Sequence, residues 1–153
     1  MAEYGANALQ TVNPGESVVF TASPNPCQMG LILHRDETGD FSLSGWSPNN
    51  SGCGCRCRNN DTVIYDACFG ANIAVPTGET VGEISVAIAI GGTTIPYSEM
   101  IVTPAAVEEF FNVSRCIGVP IWKNCCQTVS VRNTSTIPIL VQNANIKFTR
   151  PDL

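Results

Sequence analysis

Three cysteines stand at alternate positions, Cys53, Cys55 and Cys57, in a run rich in Gly, Asn and Ser. Because thiolates bind zinc and also form disulfides, this run could hold a metal ion or cross-link a loop. A zinc site would need a fourth ligand, for which Cys27 and Cys68 are candidates. Structural zinc sites favour two or more residues between paired cysteines, so the spacing favours disulfides or inert thiols. We therefore assign no metal and no cofactor to the chain.

The chain holds eight cysteines in 153 residues. An even number in a turn-rich chain favours disulfides in a protein exposed to the outside, with free thiols as the alternative. Cys125 and Cys126 cannot easily bond to each other, and on a strand they would face opposite sides. We expect one to be buried and the other to reach Cys116, a neighbouring loop or another subunit. The candidates for disulfide or metal bonding are Cys27, Cys53, Cys55, Cys57, Cys68, Cys116, Cys125 and Cys126.

Catalytic motifs are missing from the sequence. The tripeptide His34-Arg35-Asp36 matches three letters of the kinase catalytic loop, but no glycine-rich loop accompanies it. The sequence also lacks a Gly-x-Ser-x-Gly elbow, a P-loop and a His-Glu-x-x-His motif. Since His34 is the only histidine, a cysteine nucleophile would need the fold to place it beside that one residue. We expect no enzyme.

Composition and charge exclude two classes of partner. The net charge of −5 argues against nucleic acid, because binding to phosphates depends on Lys and Arg. No apolar run approaches the roughly 18 residues that span a bilayer, so we expect no membrane partner. Residues 1–4 lack the basic and apolar regions of a signal peptide, which favours assembly in the cytoplasm of the producing cell.

Short strands and turns dominate the chain. We predict a strand at residues 18–21 that stops at 24–26, and a hairpin pairing residues 31–33 with 41–44. Residues 103–109 are expected to form a turn that leads into a strand. In the last strand the apolar residues change phase, which predicts a bulge near Asn143 and Ala144. The pattern predicts an all-β fold with two antiparallel sheets in a sandwich.

The domain is expected to occupy residues 15–153, preceded by a polar arm at residues 1–14 and carrying a Cys-rich insertion at residues 45–61. The strand at Ile84–Ile90 is the clearest, with large apolar residues at even positions and small residues at odd positions. We expect Gly91 and Gly92 to form the turn that follows it. The small face would let a second sheet or subunit approach closely. Aromatic residues in the arm and beside turns are further contact candidates. The predicted interface residues are Tyr4, Trp46, Ser85, Ala87, Ala89 and Trp122.

The order of these segments resembles the bacterial and phage branch of the C1q/TNF-like jelly-roll superfamily. The resemblance rests on five stretches that cover nearly the whole chain after residue 9. They are residues 10–20, 32–43, 70–76, 86–92 and 141–148. It implies a jelly-roll sandwich that forms a homotrimer.

The resemblance also implies a function. Proteins of this kind are non-enzymatic structural proteins that decorate the outer surface of a phage capsid, so we expect a virion surface location and docking through the N-terminal arm. One alternative is a disulfide-linked subunit of a spore-surface or extracellular filament. Another is a module that binds a glycan or a host receptor through the loops at residues 45–61 and 122–126.

Overall fold

The computed structural model describes residues 1–26, 30–35, 37–47 and 62–151. Cys27, Cys53, Cys55, Cys57 and most of the predicted insertion lie outside the described residues. None of the helices in the described part of the chain has the length and apolar character needed to span a membrane.

The described strands form two six-stranded antiparallel sheets. The first sheet has the order β10-β6-β12-β1-β3, with β2 also paired to β12. We call it the front sheet. Its strands are β1 (Ala2–Ala6), β2 (Gln10–Val12), β3 (Ala22–Asn25), β6 (Thr62–Ala74), β10 (Phe111–Trp122) and β12 (Ile139–Thr149).

The second sheet, which we call the back sheet, has the order β4-β5-β11-β7-β8, with β9 also paired to β7. A 3₁₀ helix at Pro96–Ser98 connects β8 to β9. The strands are β4 (Ile32–His34), β5 (Phe41–Ser44), β7 (Ile84–Ile90), β8 (Thr93–Thr94), β9 (Met100–Val102) and β11 (Cys126–Asn133).

The hydrophobic core lies between the sheets. In β6, Val63, Tyr65, Ala67 and Phe69 are buried while the residues between them are more exposed, as the two-residue period of a strand requires. Phe41 of the back sheet is fully buried and lies at the centre of an aromatic cluster. Its ring centroid is 4.6–5.3 Å from those of Tyr4, Phe20, His34 and Phe148. Ring–ring contacts at these distances stabilise the packing of the two sheets against each other.

Three local predictions are confirmed. The hairpin pairs Ile32 with Leu43, and Gly91 and Gly92 form the tight turn between β7 and β8, both at positive φ. The β12–β6 register shifts between Gln142 and Asn145, and Asn143 has a φ of 53°. The fold class, two antiparallel sheets in a sandwich, is confirmed as well.

The predicted N-terminal arm is wrong. Ala2–Ala6 forms a strand inside the front sheet, paired with β12 on one side and β3 on the other. Tyr4, predicted as an interface residue, is only 3% exposed and packs against Phe41. Ala2 and Ala6 are buried as well, so this face of the strand packs on the core. The predicted strand at residues 18–21 is also displaced, because β3 covers Ala22–Asn25 and tolerates Pro24 as an edge strand.

The predicted small interface on β7 is wrong too. Ser85, Ala87 and Ala89 are each at most 5% exposed, so residues of the same chain already cover this face. Ser85 is held by its neighbours: its backbone N–H donates to Ser135 Oγ at 2.7 Å, and its hydroxyl lies 2.6 Å from that of Thr134. This face of β7 is therefore part of the folded chain and does not offer a surface to a second subunit.

Candidate functional site

An exposed apolar strip lies on the outer face of the front sheet, at its β10 edge. The ladder pairs Ile64 of β6 directly with Pro120 of β10, and Trp122 with Thr62. Ile64 is 43% exposed and Trp122 is 39% exposed, and Pro120 is also exposed. We call Ile64, Pro120 and Trp122 the outer strip. Neighbouring exposed apolar side chains on an open sheet face are typical of a contact surface.

Gly118 keeps this surface flat. A Cβ atom built on Gly118 would lie 3.2 Å from Ile64 Cγ2, which is a tight contact. The glycine thus leaves room for Ile64 to lie along the strands. Sequence reasoning identified Trp122 but missed Ile64 and Pro120. The two-residue period of β6 could have found Ile64, because it falls on the same face as Thr62 and Asp66.

The second tryptophan predicted as a contact residue, Trp46, is brought to the same end of the sandwich as Trp122. The backbone N–H of Gly45 donates to the Cys125 carbonyl at 2.7 Å, and the Asn124 N–H donates back to the Gly45 carbonyl at 3.0 Å. Trp46 follows directly and is 44% exposed. Its carbonyl accepts a hydrogen bond from the buried guanidinium of Arg150. The end of β5 is therefore tied to the turn that carries Trp122.

The structure forms a disulfide between Cys68 and Cys116, which lie opposite each other on β6 and β10. The suggestion that Cys68 completes a zinc site is wrong, because a disulfide sulfur is not a thiolate ligand. The pairing of Cys116 with Cys125 or Cys126 is wrong as well. Cys125 is 5% exposed and disulfide-bonded, whereas Cys126 is an exposed free thiol. One of the adjacent pair is thus buried and the other exposed, as predicted.

The described residues contain no group of three or more His, Cys, Asp or Glu side chains that could hold a metal ion. His34 packs at the edge of the core. Its ring is stacked on that of Phe41, with the centroids 4.6 Å apart, and its centroid lies 5.0 Å from that of Tyr4. Its Nε2 atom lies 3.0 Å from the Thr38 carbonyl. Since a carbonyl only accepts, Nε2 carries the proton. The other ring nitrogen, Nδ1, is buried with no hydrogen-bond partner. These contacts give His34 a packing role.

No protein-family model matches the sequence, and no curated protein matches it. Solved structures do match. The globular domain of zebrafish complement 1qA protein is 10% identical, with a TM-score of 0.59 over 95% of this chain and 94% of that one. The Eiger TNF of S. frugiperda is 9% identical, with a TM-score of 0.64 over 97% of this chain and 90% of that one.

The chain has a C1q/TNF-like jelly-roll fold. Murine APRIL is a further match, 8% identical with a TM-score of 0.50 over 95% of this chain and 98% of that one. The three matches each cover at least 95% of this chain and at least 90% of the matched chain. At such low identity the likeness shows the jelly-roll fold alone.

Proposed function

We propose that this jelly-roll chain is a non-enzymatic structural subunit that forms a homotrimer and decorates the outer surface of a phage capsid or a comparable particle. The observation that supports the assembly in this proposal is the outer strip. Ile64 and Trp122 expose large apolar side chains as diagonal neighbours on adjacent strands. Tryptophan is among the residues that contribute most binding energy at protein interfaces.

Position on the sheet supports self-association through this face. β10 is an edge strand of the front sheet, so a neighbouring subunit can approach it from the side as well as from above. Gly118 has no side chain that would hold a second sheet away from this part of β10. A closed ring of subunits would bury the outer strip of every member and leave no open contact.

The N-terminal strand has no part in docking to a particle in this proposal, because its residues belong to the front sheet. The role on a particle rests on the resemblance to decoration proteins and on the expectation of a virion surface location. The jelly roll supplies a rigid body whose back sheet would face outward when the front sheet is used for assembly, since the outer faces of the two sheets lie on opposite sides of the core.

Light-scattering mass of the purified chain, with and without reductant, tests the assembly. We expect a mass close to three times the 16.3 kDa of the chain, unchanged by reductant. A single-chain mass at all concentrations would contradict the homotrimer. Mass spectrometry of purified phage particles from the source strain then tests the location. Absence of the chain from washed particles would contradict decoration.

A second candidate is a subunit of a spore-surface or extracellular filament with disulfides between subunits. The exposed free thiol of Cys126 favours this candidate, because it is accessible to a cysteine of another chain. The same measurement separates the two. A large assembly that reductant converts to single chains would support the filament, and Cys126→Ser would then abolish the assembly without reductant.

A further inference from the structure

A polar cavity opens on the outer face of the back sheet, on the opposite side of the molecule from the outer strip. It has a volume of about 390 Å³ and is lined by Leu33, Arg35, Asp40, Ser42 and Thr128. That volume falls within the roughly 300–1,000 Å³ of small-molecule sites. The register explains the shared location: Leu33 pairs with Ser42, and Ser42 pairs with Thr128, so the three side chains form one row across β4, β5 and β11.

The charged residues of the cavity extend this row toward the hairpin turn. Arg35 follows β4 by one residue and Asp40 precedes β5 by one residue, and their spacing from Leu33 and Ser42 places them on the same face. In the part of the chain that the structure describes, no ion pair joins the Arg35 guanidinium to the Asp40 carboxylate. A cation and an anion that do not pair with each other in the described residues therefore line a single cavity.

Between the two charged residues, Thr38 and Gly39 make close contacts with the neighbouring backbone. The Thr38 hydroxyl donates to the Arg35 carbonyl at 2.7 Å and accepts from the Asp40 N–H at 3.3 Å. The Thr38 carbonyl accepts from the Phe20 N–H at 3.1 Å, which ties the turn to the body of the domain. A Cβ on Gly39 would lie 2.3 Å from the Val18 carbonyl oxygen, so the backbone packs closely there. These contacts hold the backbone at Thr38 and Gly39, between the two charged residues, and so lower the entropic cost of binding a ligand.

We propose that this cavity binds a neutral saccharide. A free anion would be repelled by Asp40 and a free cation by Arg35, whereas adjacent hydroxyl groups of a sugar can donate to the carboxylate and accept from the guanidinium. The hydroxyls of Ser42 and Thr128 both donate and accept, which suits a ligand with many hydroxyl groups. Leu33, at 62% exposed, offers an apolar surface to the C–H face of the ring. The site is independent of the proposed assembly, because it lies on the other sheet.

Amide NMR titration of the full chain with methyl glycosides of glucose, galactose, mannose and N-acetylglucosamine tests the inference. At least one glycoside is expected to shift the amide signals of residues 33–35, 40–42 and 128. Asp40→Asn and Arg35→Gln should each weaken that binding by about tenfold, through the loss of a charge-assisted hydrogen bond. The matched control is Asp66→Asn, which removes an exposed carboxylate from the front sheet and should leave the affinity unchanged.

Three results would overturn the inference. The first is that no glycoside shifts these signals in folded protein. The second is that binding is equally strong in Asp40→Asn and Arg35→Gln. The third is that glycine betaine, a zwitterion that contains no hydroxyl group, shifts the same signals when the glycosides do not. Failure of the trimer in the mass measurement would leave this test unaffected.

Discussion

A Cβ atom built on Gly45 would lie only 2.0 Å from the backbone carbonyl oxygen of Trp122, so the structure leaves no room for a side chain at residue 45. Both N–H and carbonyl groups of Gly45 bond to the turn after Trp122, at Cys125 and Asn124. The end of β5 and the β10–β11 turn can approach so closely only because residue 45 has no side chain. This contact sets the position of both exposed tryptophans.

Gly45→Ala should therefore destabilise the chain by about 2 kcal/mol or more, because backbone atoms must move apart to admit the methyl group. The matched control is Gly82→Ala, where a Cβ would meet nothing within 4 Å. That control should be neutral or slightly stabilising. Thermal and urea unfolding of both variants checks the difference, and equal stabilities would contradict the close contact.

The Cys68–Cys116 disulfide links residues 48 positions apart. A cross-link of this span restricts the unfolded chain and contributes up to about 4 kcal/mol in the loop-entropy model. Replacing both cysteines with Ser should lower the free energy of unfolding by much of that amount. The variant should still fold, since the core of the sandwich is large. Urea unfolding under non-reducing conditions measures it. Cys126→Ser, which removes the exposed free thiol, is the control and should not change stability.

Local features of the fold were predictable from the sequence, because they depend on neighbouring residues. The Gly91-Gly92 turn follows from two residues that accept positive φ, and the bulge at Asn143 follows from a change in apolar phase within one strand. Both signals act over a few residues. The two-residue alternation of apolar and polar residues likewise predicts the fold class.

Long-range features were not predictable in the same way. The place of Tyr4 in the front sheet depends on pairing with Ile146, more than a hundred residues away. The disulfide partner of Cys116 depends on the register between β6 and β10, which no local pattern specifies. The covering of Ser85 depends on a loop at residues 134–135. Predicting the cavity at Arg35 and Asp40 would have required the knowledge that β4, β5 and β11 lie side by side.

Asn133 is a buried side chain that connects the N-terminal segment to the β11–β12 loop. Its Nδ2 atom donates to the carbonyls of Val12 and Ile137, each at 2.9 Å, and its Oδ1 accepts from the Ser135 N–H at 2.8 Å. Asn133→Ala leaves three backbone groups without these partners, so stability should fall by about 3 kcal/mol. Chemical unfolding measures the loss.

The control for this prediction is Asn145→Ala. Asn145 is exposed and donates one hydrogen bond to Glu3 at 2.8 Å, where water can replace it. Its removal should change stability by no more than about 0.5 kcal/mol. Similar losses in the two variants would contradict the role of the buried amide.

Removal of residues 1–13 should unfold the chain, because it deletes β1 and β2, leaves β3 without its partner and leaves one edge of β12 unpaired. Tyr4→Ala tests the same point with one residue. The lost ring contacts with Phe41 and His34 should cost about 3–5 kcal/mol. Leu9→Ala, at a residue 53% exposed, is the control and should be nearly neutral. A truncated chain with unchanged circular dichroism and melting would contradict the integrated strand.

Trp122→Glu places a charge in the outer strip and should convert the proposed homotrimer to single chains without changing the fold. A buried carboxylate with no partner at an interface is costly, whereas on the free surface it is solvated. Ile64→Glu, on the neighbouring strand, should have the same effect. Tyr97→Glu introduces the same charge at a residue 64% exposed in the 3₁₀ helix and should leave the mass unchanged. Light-scattering mass and circular dichroism check all three variants. An unchanged mass in both outer-strip variants would contradict the outer strip as the interface between subunits.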